Sequence, residues 1–274
     1  MTITCSLTVA GISFTLLLPD ESWLLPLQAR YASFLSPSSP GWTIILDRYP
    51  ADSFPVPGDR VVHEDLRTNY QVGRTCGSID LAARRADVAV LDPAVGGMAL
   101  DRTMSFVLMQ ELPRYHEALL LHGVAVVRNG YGLAHSGRSG VGKTTTARLA
   151  AGYAEVLVDE NLIVSVASRQ PALLSTPFWG ASTPPEMIHR VNRQVPLRAL
   201  LLPEHGTDFV LEPLSQPDAV LALLTTEKIA VERVSSAGAW LETAQKLVMR
   251  VPTYRFYFRP DPAMWAFLDN ALAL

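Results

Sequence analysis

Gly137, Gly140, Gly142, Lys143 and Thr144 lie within the pattern G-x-x-x-x-G-K-[ST]. Residues of these types at this spacing can hold the phosphates of a nucleoside triphosphate. Glycines let the chain bend until successive N–H groups point at phosphate oxygens. A helix starting at Lys143 would add the positive end of its dipole. The Lys143 ammonium can reach the β- and γ-phosphates, and the Thr144 hydroxyl can bind Mg²⁺. The candidate nucleotide-binding segment is therefore Gly137, Arg138, Ser139, Gly140, Val141, Gly142, Lys143, Thr144 and Thr145. No Asn-Lys-x-Asp guanine-reading motif occurs, which argues against a GTPase and makes ATP with Mg²⁺ the expected ligand pair.

Two carboxylates follow. Asp159 comes sixteen residues after Lys143, room for a helix of about ten residues, a turn and a strand. Glu160 is its direct neighbour, and neighbours on a strand point to opposite faces. Both can approach the phosphates only where the strand departs from regular geometry. The pair is embedded between Val156-Leu157-Val158 and Asn161-Leu162-Ile163-Val164, where an unpaired charge would be costly. That context favours a functional pair, with Asp159 as general base or metal ligand and Glu160 as its helper at the metal. Thr144, Asp159 and Glu160 are thus the expected Mg²⁺ ligands.

Other residues are ambiguous by type. His122, within "LLLHGVAVV", and His135, two residues before Gly137, each fit a core histidine as well as a site histidine. His189, Arg190 and Arg193 fit a solvated helix face as well as a set that neutralises phosphate charge or grips an acidic peptide. Arg198, between Leu197 and Ala199-Leu200-Leu201-Leu202, is the arginine expected to neutralise phosphate charge. Thr176-Pro177-Phe178-Trp179-Gly180 fits either a flap over the acceptor or a core-packed turn.

The elements that must carry these residues can be read from periodicity. "YGLAHS" is the strand entering the glycine-rich loop and "KTTTARLAAG" the helix leaving it. Arg128-Asn129-Gly130 precedes that strand as a tight hairpin turn. Common mononucleotide-binding domains reach the loop strand by a crossover, because parallel strands need one. An Asn-Gly hairpin instead makes the entering strand antiparallel to its predecessor. "EVLVDENLIVSV" is the strand after the loop's helix. Ser215-Gln216-Pro217-Asp218 starts a helix, and "AGAWLETAQKLVMRV" and "AMWAFLDNALAL" are helical around a strand "TYRFYFR". Upstream, Ile3–Val9 and Ile12–Leu18 alternate as a hairpin. A helix follows Asp20, "WTIIL" is a strand, and residues 69–91 hold two or three more. Asp101 is expected to open a helix that Pro113 ends or bends.

Bulk composition sets outer limits. The 274 residues are 49% hydrophobic, enough for a sizeable core, yet no apolar run approaches the ~20 residues of a membrane span. The start "MTITCSLTVAG" lacks a signal peptide's basic segment and apolar core. Cys5 and Cys76 are far apart and form no metal pattern. The expectation is a soluble, cytoplasmic protein with reduced thiols. A net charge of −3 gives no reason to expect nucleic-acid binding.

The stretch from Leu121 to Asn161 resembles the HPr kinase/phosphorylase family, which shares the nucleotide-binding fold of phosphoenolpyruvate carboxykinases. It is similar in its His-Gly strand, its hairpin, the loop G-x-S-G-x-G-K-[ST] and the strand carrying two acids. His122 and Asp159 stand where the family has a histidine and its first aspartate, and Glu160 replaces the second. The resemblance implies that Asp159 takes the proton from an attacking hydroxyl. It further implies that Thr144 and the acids hold Mg²⁺, with His122 beside them. The family's Glu-x-Arg-Gly segment has no counterpart here, which points away from HPr and from phosphorolysis. Downstream stretches resemble divergent HPr-kinase-related proteins, some of which phosphorylate precursor peptides of biosynthetic clusters.

The expected fold is α/β. Residues 101–274 would form a kinase domain on a mixed, largely antiparallel sheet, its phosphate loop entered from a β-hairpin. Residues 1–100 would form a small α/β unit for scaffold or acceptor recognition, with strand edges that could also pair two copies of the chain. The expected function is ATP-dependent transfer of the γ-phosphoryl group to a Ser or Thr hydroxyl of a peptide or protein. A small-molecule kinase acting on free serine or a sugar, and a nucleotide-binding regulator without transfer activity, are the alternatives.

Overall fold

The structure is a computed structural model and describes residues 3–49, 59–64, 66–91, 96–138, 140–180, 183, 190–226 and 236–274. The chain divides into two compact units, Met1–Gln110 in one and Glu111–Glu232 with Ser236–Leu274 in the other. Each is a mixed α/β unit on its own sheet.

The first unit holds β1 (Ile3–Val9), β2 (Ile12–Leu18), α1 (Leu24–Arg30), β3 (Trp42–Arg48), β4 (Arg60–Glu64), β5 (Arg67–Val72), β6 (Thr75–Asp80) and β7 (Arg85–Val90). Their sheet order is β1-β2-β3-β7-β6-β5-β4. The β2–β3 and β3–β7 pairs are parallel and the others antiparallel. Alternation along β1 and β2 puts Cys5, Leu7, Val9, Ile12, Phe14 and Leu16 in the core. The helical stretch after Asp20 is broken, with single 3₁₀ turns at Glu21–Trp23 and Ala32–Phe34 flanking α1.

Helix α2 (Gly96–Tyr115) runs across the division between the units. It starts five residues before Asp101, because that carboxylate is not a cap. It sits in a buried cluster, accepting from Tyr31 Oη at 2.7 Å and pairing with Arg30. Pro113 does not end the helix. It lies in the last turn, where its missing N–H forfeits a single backbone bond.

The second unit holds β8 (Ala118–Arg128), β9 (Tyr131–Ser136), α3 (Lys143–Leu149), β10 (Glu155–Ser165), β11 (Ala172–Leu174), β12 (Gln194–His205), β13 (Val210–Pro213), α4 (Gln216–Thr226), α5 (Ala237–Arg250), β14 (Thr253–Phe258) and α6 (Met264–Leu272). The order is β11-β10-β8-β9-β12-β14-β13, and β11 also pairs with β12. The sheet is mixed, with β12 parallel to both β9 and β14.

Strand β8 is apolar apart from His122 and the terminal Arg128, because it is buried on both faces. Leu119, Leu121, Ala125 and Val127 join one cluster with Leu223, Trp240 and Leu247 from α4 and α5. Val124 and Val126 join another with Ala147, Met264, Trp265 and Leu268 from α3 and α6. The second unit is thus a sheet with helices on both faces, and the glycine-rich loop leaves it at the end of β9. No described helix is long and apolar enough to cross a membrane. Both cysteines are free thiols.

Candidate active site

The β8–β9 turn sets up the site. Asn129 and Gly130 have φ of 50° and 84°, the left-handed pair a two-residue hairpin needs. Arg128 pairs with Tyr131, and the ladder runs back to Gly123 opposite Ser136. As expected from Asn-Gly, β9 enters the loop antiparallel to β8. The loop closes at Gly142, whose φ is 106°. A Cβ there would lie 2.6 Å from the Phe258 ring, so both dihedral and space demand glycine. Lys143 is buried, and its Nζ donates to the carbonyls of Gly137 at 2.6 Å and Arg138 at 2.8 Å. The helix α3 is seven residues, shorter than the ten expected, and ends in a turn before β10. Ser139 lies outside the described residues.

The two acids sit where β10 is irregular. The β10–β8 register shifts between Val156 and Val158. Glu160 has a φ of 144° and makes an isolated bridge with Trp179. With regular alternation broken, both carboxylates reach one space. A cavity of about 440 Å³ is lined by His122, Gly140, Gly142, Lys143, Thr144, Thr145, Asp159 and Glu160. All eight are residues singled out in the sequence.

Asp159 is buried, and its Oδ2 accepts from Thr183 Oγ1 at 3.0 Å. Burial raises its carboxyl above the ordinary range, against the Thr183 hydrogen bond that lowers it. Burial raises Glu160 as well, and the Lys143 charge opposes it. His122 Nδ1 is 3.6 Å from Glu160 Oε1. Burial, then the Lys143 charge, lowers the imidazole, so at neutral pH this contact joins a neutral ring to a carboxylate rather than two charges.

Thr144, Asp159 and Glu160 offer a hydroxyl and two carboxylates around one cavity. Among the described residues no cluster of three or more His, Cys, Asp or Glu side chains forms, so no all-protein cage is available. Hard oxygen donors with room left for water and phosphate oxygens suit Mg²⁺, which keeps much of its hydration.

Arg198 is not brought to this cavity. The β12–β9 register shifts between Leu197 and Ala199, and this turns Arg198 outward despite its apolar neighbours. Its Nε and Nη2 donate to the Leu272 carbonyl at 2.8 and 2.6 Å, and its guanidinium lies over Tyr131. Arg190 donates to the Pro177 carbonyl and Arg193 pairs with Glu155. His189 lies outside the described residues. Phe178 and Trp179 are buried, which makes Thr176–Gly180 a core-packed turn rather than a flap. His135 is completely buried on β9, against Phe256 and Trp265.

Two residues at the site carried no signal in the sequence. Thr183 is one of two hydroxyl residues in "GASTPP". His205, at the end of β12, places its Nε2 3.1 Å from the Gly140 carbonyl. A larger cavity of about 640 Å³ lies against the first unit's sheet, lined by Asp47, Asn69, Gln71, Ser78 and Asp87 among others. Its described lining holds Arg60 but no lysine and no glycine-rich turn, so size alone does not make it the catalytic candidate.

No protein-family model and no curated protein matches the chain. Among solved structures it is similar to the HPr(Ser) kinase/phosphatase of Coxiella burnetii. That likeness has 11% identity over 56% of this chain and 95% of that one, with a TM-score of 0.33. At that score the likeness carries no argument, and the functional reading rests on the site's own geometry.

Proposed function

We propose that the second unit is an ATP-dependent phosphotransferase that passes the γ-phosphoryl group to a Ser or Thr hydroxyl of a peptide or protein. A biosynthetic precursor peptide is one such acceptor. One observation carries the reading: a glycine-rich loop, a lysine, a threonine hydroxyl and two consecutive carboxylates line a single cavity. In this reading the loop amides and Lys143 bind the β- and γ-phosphates, with the Lys143 ammonium exchanging the Gly137 and Arg138 carbonyls for phosphate oxygens. Thr144, Asp159 and Glu160 would hold Mg²⁺, which when bound neutralises phosphate charge. Asp159 accepts the proton of the attacking hydroxyl, a role suited to a carboxylate whose basicity is raised by burial. His122 borders the same space and would orient Glu160, whose Oε1 lies 3.6 Å from its Nδ1. Arg198 has no part in it. The first unit would serve acceptor recognition or scaffolding, its sheet edges able to take an extended peptide or a second copy.

The test is purified protein with Mg²⁺ and γ-labelled ATP against a degenerate Ser/Thr peptide pool, free serine and simple sugars. Label on peptide supports the proposal. Label on a metabolite would assign a small-molecule kinase. Binding without turnover would assign a nucleotide-dependent regulator.

A further inference from the structure

We infer that Thr183 is a positioning residue for Asp159, holding one carboxylate oxygen so that the other is left to take the proton. The inference rests on the kinase reading above and adds to it the group that orients the base. The turn carrying Thr183 grips Asp159 twice. The Gly180 N–H donates to the Asp159 carbonyl at 2.8 Å, and the Thr183 N–H closes the turn on the Gly180 carbonyl at 3.1 Å. The Thr183 hydroxyl then reaches Asp159 Oδ2 at 3.0 Å. An ionised carboxylate only accepts, so the hydroxyl is the donor. Main chain and side chain of Asp159 are fixed by Gly180 and Thr183, which are bonded to each other, and Thr183 is itself only 5% exposed.

The turn is packed tightly on the second acid too. A Cβ at Gly180 would come 2.8 Å from Glu160 Oε2 and 3.2 Å from Thr183 Oγ1. The two partners differ in access. Asp159 lines the cavity, whereas Thr183 is not among its lining residues. Thr183 therefore acts from behind the base and does not stand in the acceptor's place. A buried hydroxyl within hydrogen-bond distance of a base could also be a target of self-phosphorylation, and its position away from the cavity argues against that.

Holding a base within a fraction of an ångström matters because small misplacements can lower the rate by about 10²-fold. The experiment compares the full-length wild type with Thr183→Val, which keeps the side chain's shape without the hydroxyl, and with Thr183→Ser. Steady-state kcat and KM for Mg²⁺·ATP are measured with the peptide pool, Mg²⁺·ADP affinity by calorimetry, and intact mass after incubation with ATP. The expected result for Thr183→Val is a kcat reduced roughly 10- to 100-fold, with KM for ATP and ADP affinity within about twofold. Thr183→Ser should recover kcat to within about threefold of wild type.

Should circular dichroism show the valine variant unfolded, Thr183→Ala is judged by the same split between kcat and KM. Equal kcat in wild type and the hydroxyl-free variant overturns the inference. So does a serine variant as slow as valine, a parallel loss of nucleotide affinity, or a phosphoryl group found on Thr183. A wild type that binds nucleotide without turnover overturns the kinase reading, whereas equal kcat in an active wild type and its hydroxyl-free variant overturns this inference alone.

Discussion

His135 gives the second unit an acid-sensitive core. It is fully buried on β9, edge-on to Phe256 and Trp265, and both ring nitrogens lack a hydrogen-bond partner. Burial alone lowers its pKa from 6.5 to about 3. The unfolded chain therefore takes up this proton near pH 6.5, while the folded chain resists until about pH 3. Between those values the unfolded state binds more protons, so the stability contributed by the neutral ring falls as pH falls. The slope is about 1.4 kcal/mol per pH unit, or roughly 3 kcal/mol from pH 6.5 to pH 4.5. His135→Leu keeps similar volume and removes the titrating group. Any packing cost of leucine is the same at every pH and cancels in the comparison. Urea unfolding of both proteins at pH 7, 5.5 and 4.5 is the assay. The variant should gain about 3 kcal/mol on wild type between the first and last pH. Stability curves that stay parallel across that range would refute the assignment of His135 as a neutral, desolvated core residue.

Three further outcomes are expected at the site. Lys143→Ala should leave far-UV circular dichroism unchanged and weaken ATP binding, by calorimetry, on the order of 10²-fold; transfer at the native rate would remove the loop from the mechanism. Asp159→Asn should keep nucleotide binding within about tenfold and lower single-turnover transfer by roughly 10²-fold or more, and an unchanged rate would exclude Asp159 as base. Glu160 holds a φ of 144°, so Glu160→Gly should be about 1 kcal/mol more stable than Glu160→Ala in urea unfolding, the reverse of the usual order within a strand.

What the sequence made legible was what local rules control. Period-two alternation found β1 and β2, and Asn129-Gly130 set the direction in which β9 enters the loop. The glycine and lysine spacing drew the cavity's loop residues together in advance. Arg198 shows where local reasoning fails. Apolar neighbours suggested an inward side chain, but a register shift against β9 turned it out, and such shifts depend on the partner strand. Asp101 failed for a related reason. An acidic residue before an apolar periodic run looks like a helix start, but its partners Arg30 and Tyr31 lie about seventy residues away.

The paired acids join these two lessons. Consecutive carboxylates on a regular strand would face opposite sides, and one of them would then meet the apolar cluster around Leu121 and Leu162. Their common placement depends on an irregular strand. The bulge before Val158 and the positive φ at Glu160 supply that irregularity. Neither is the cheapest local conformation for these residues, since Glu160 has no glycine's freedom there. What holds them is tertiary: Trp179 bridges Glu160, and Gly180 and Thr183 bind the Asp159 carbonyl and carboxylate. The strain at Glu160 and the grip of Gly180 and Thr183 on Asp159 are therefore two halves of one arrangement. Loosening Gly180 and Thr183 should make β10 open more often around the two acids while both still line the cavity. Hydrogen exchange across residues 155–165 in Thr183→Val is the direct measure. Faster exchange confined to the neighbourhood of Asp159 and Glu160 is expected, and protection unchanged from wild type would mean that β10 keeps its irregular shape without the turn.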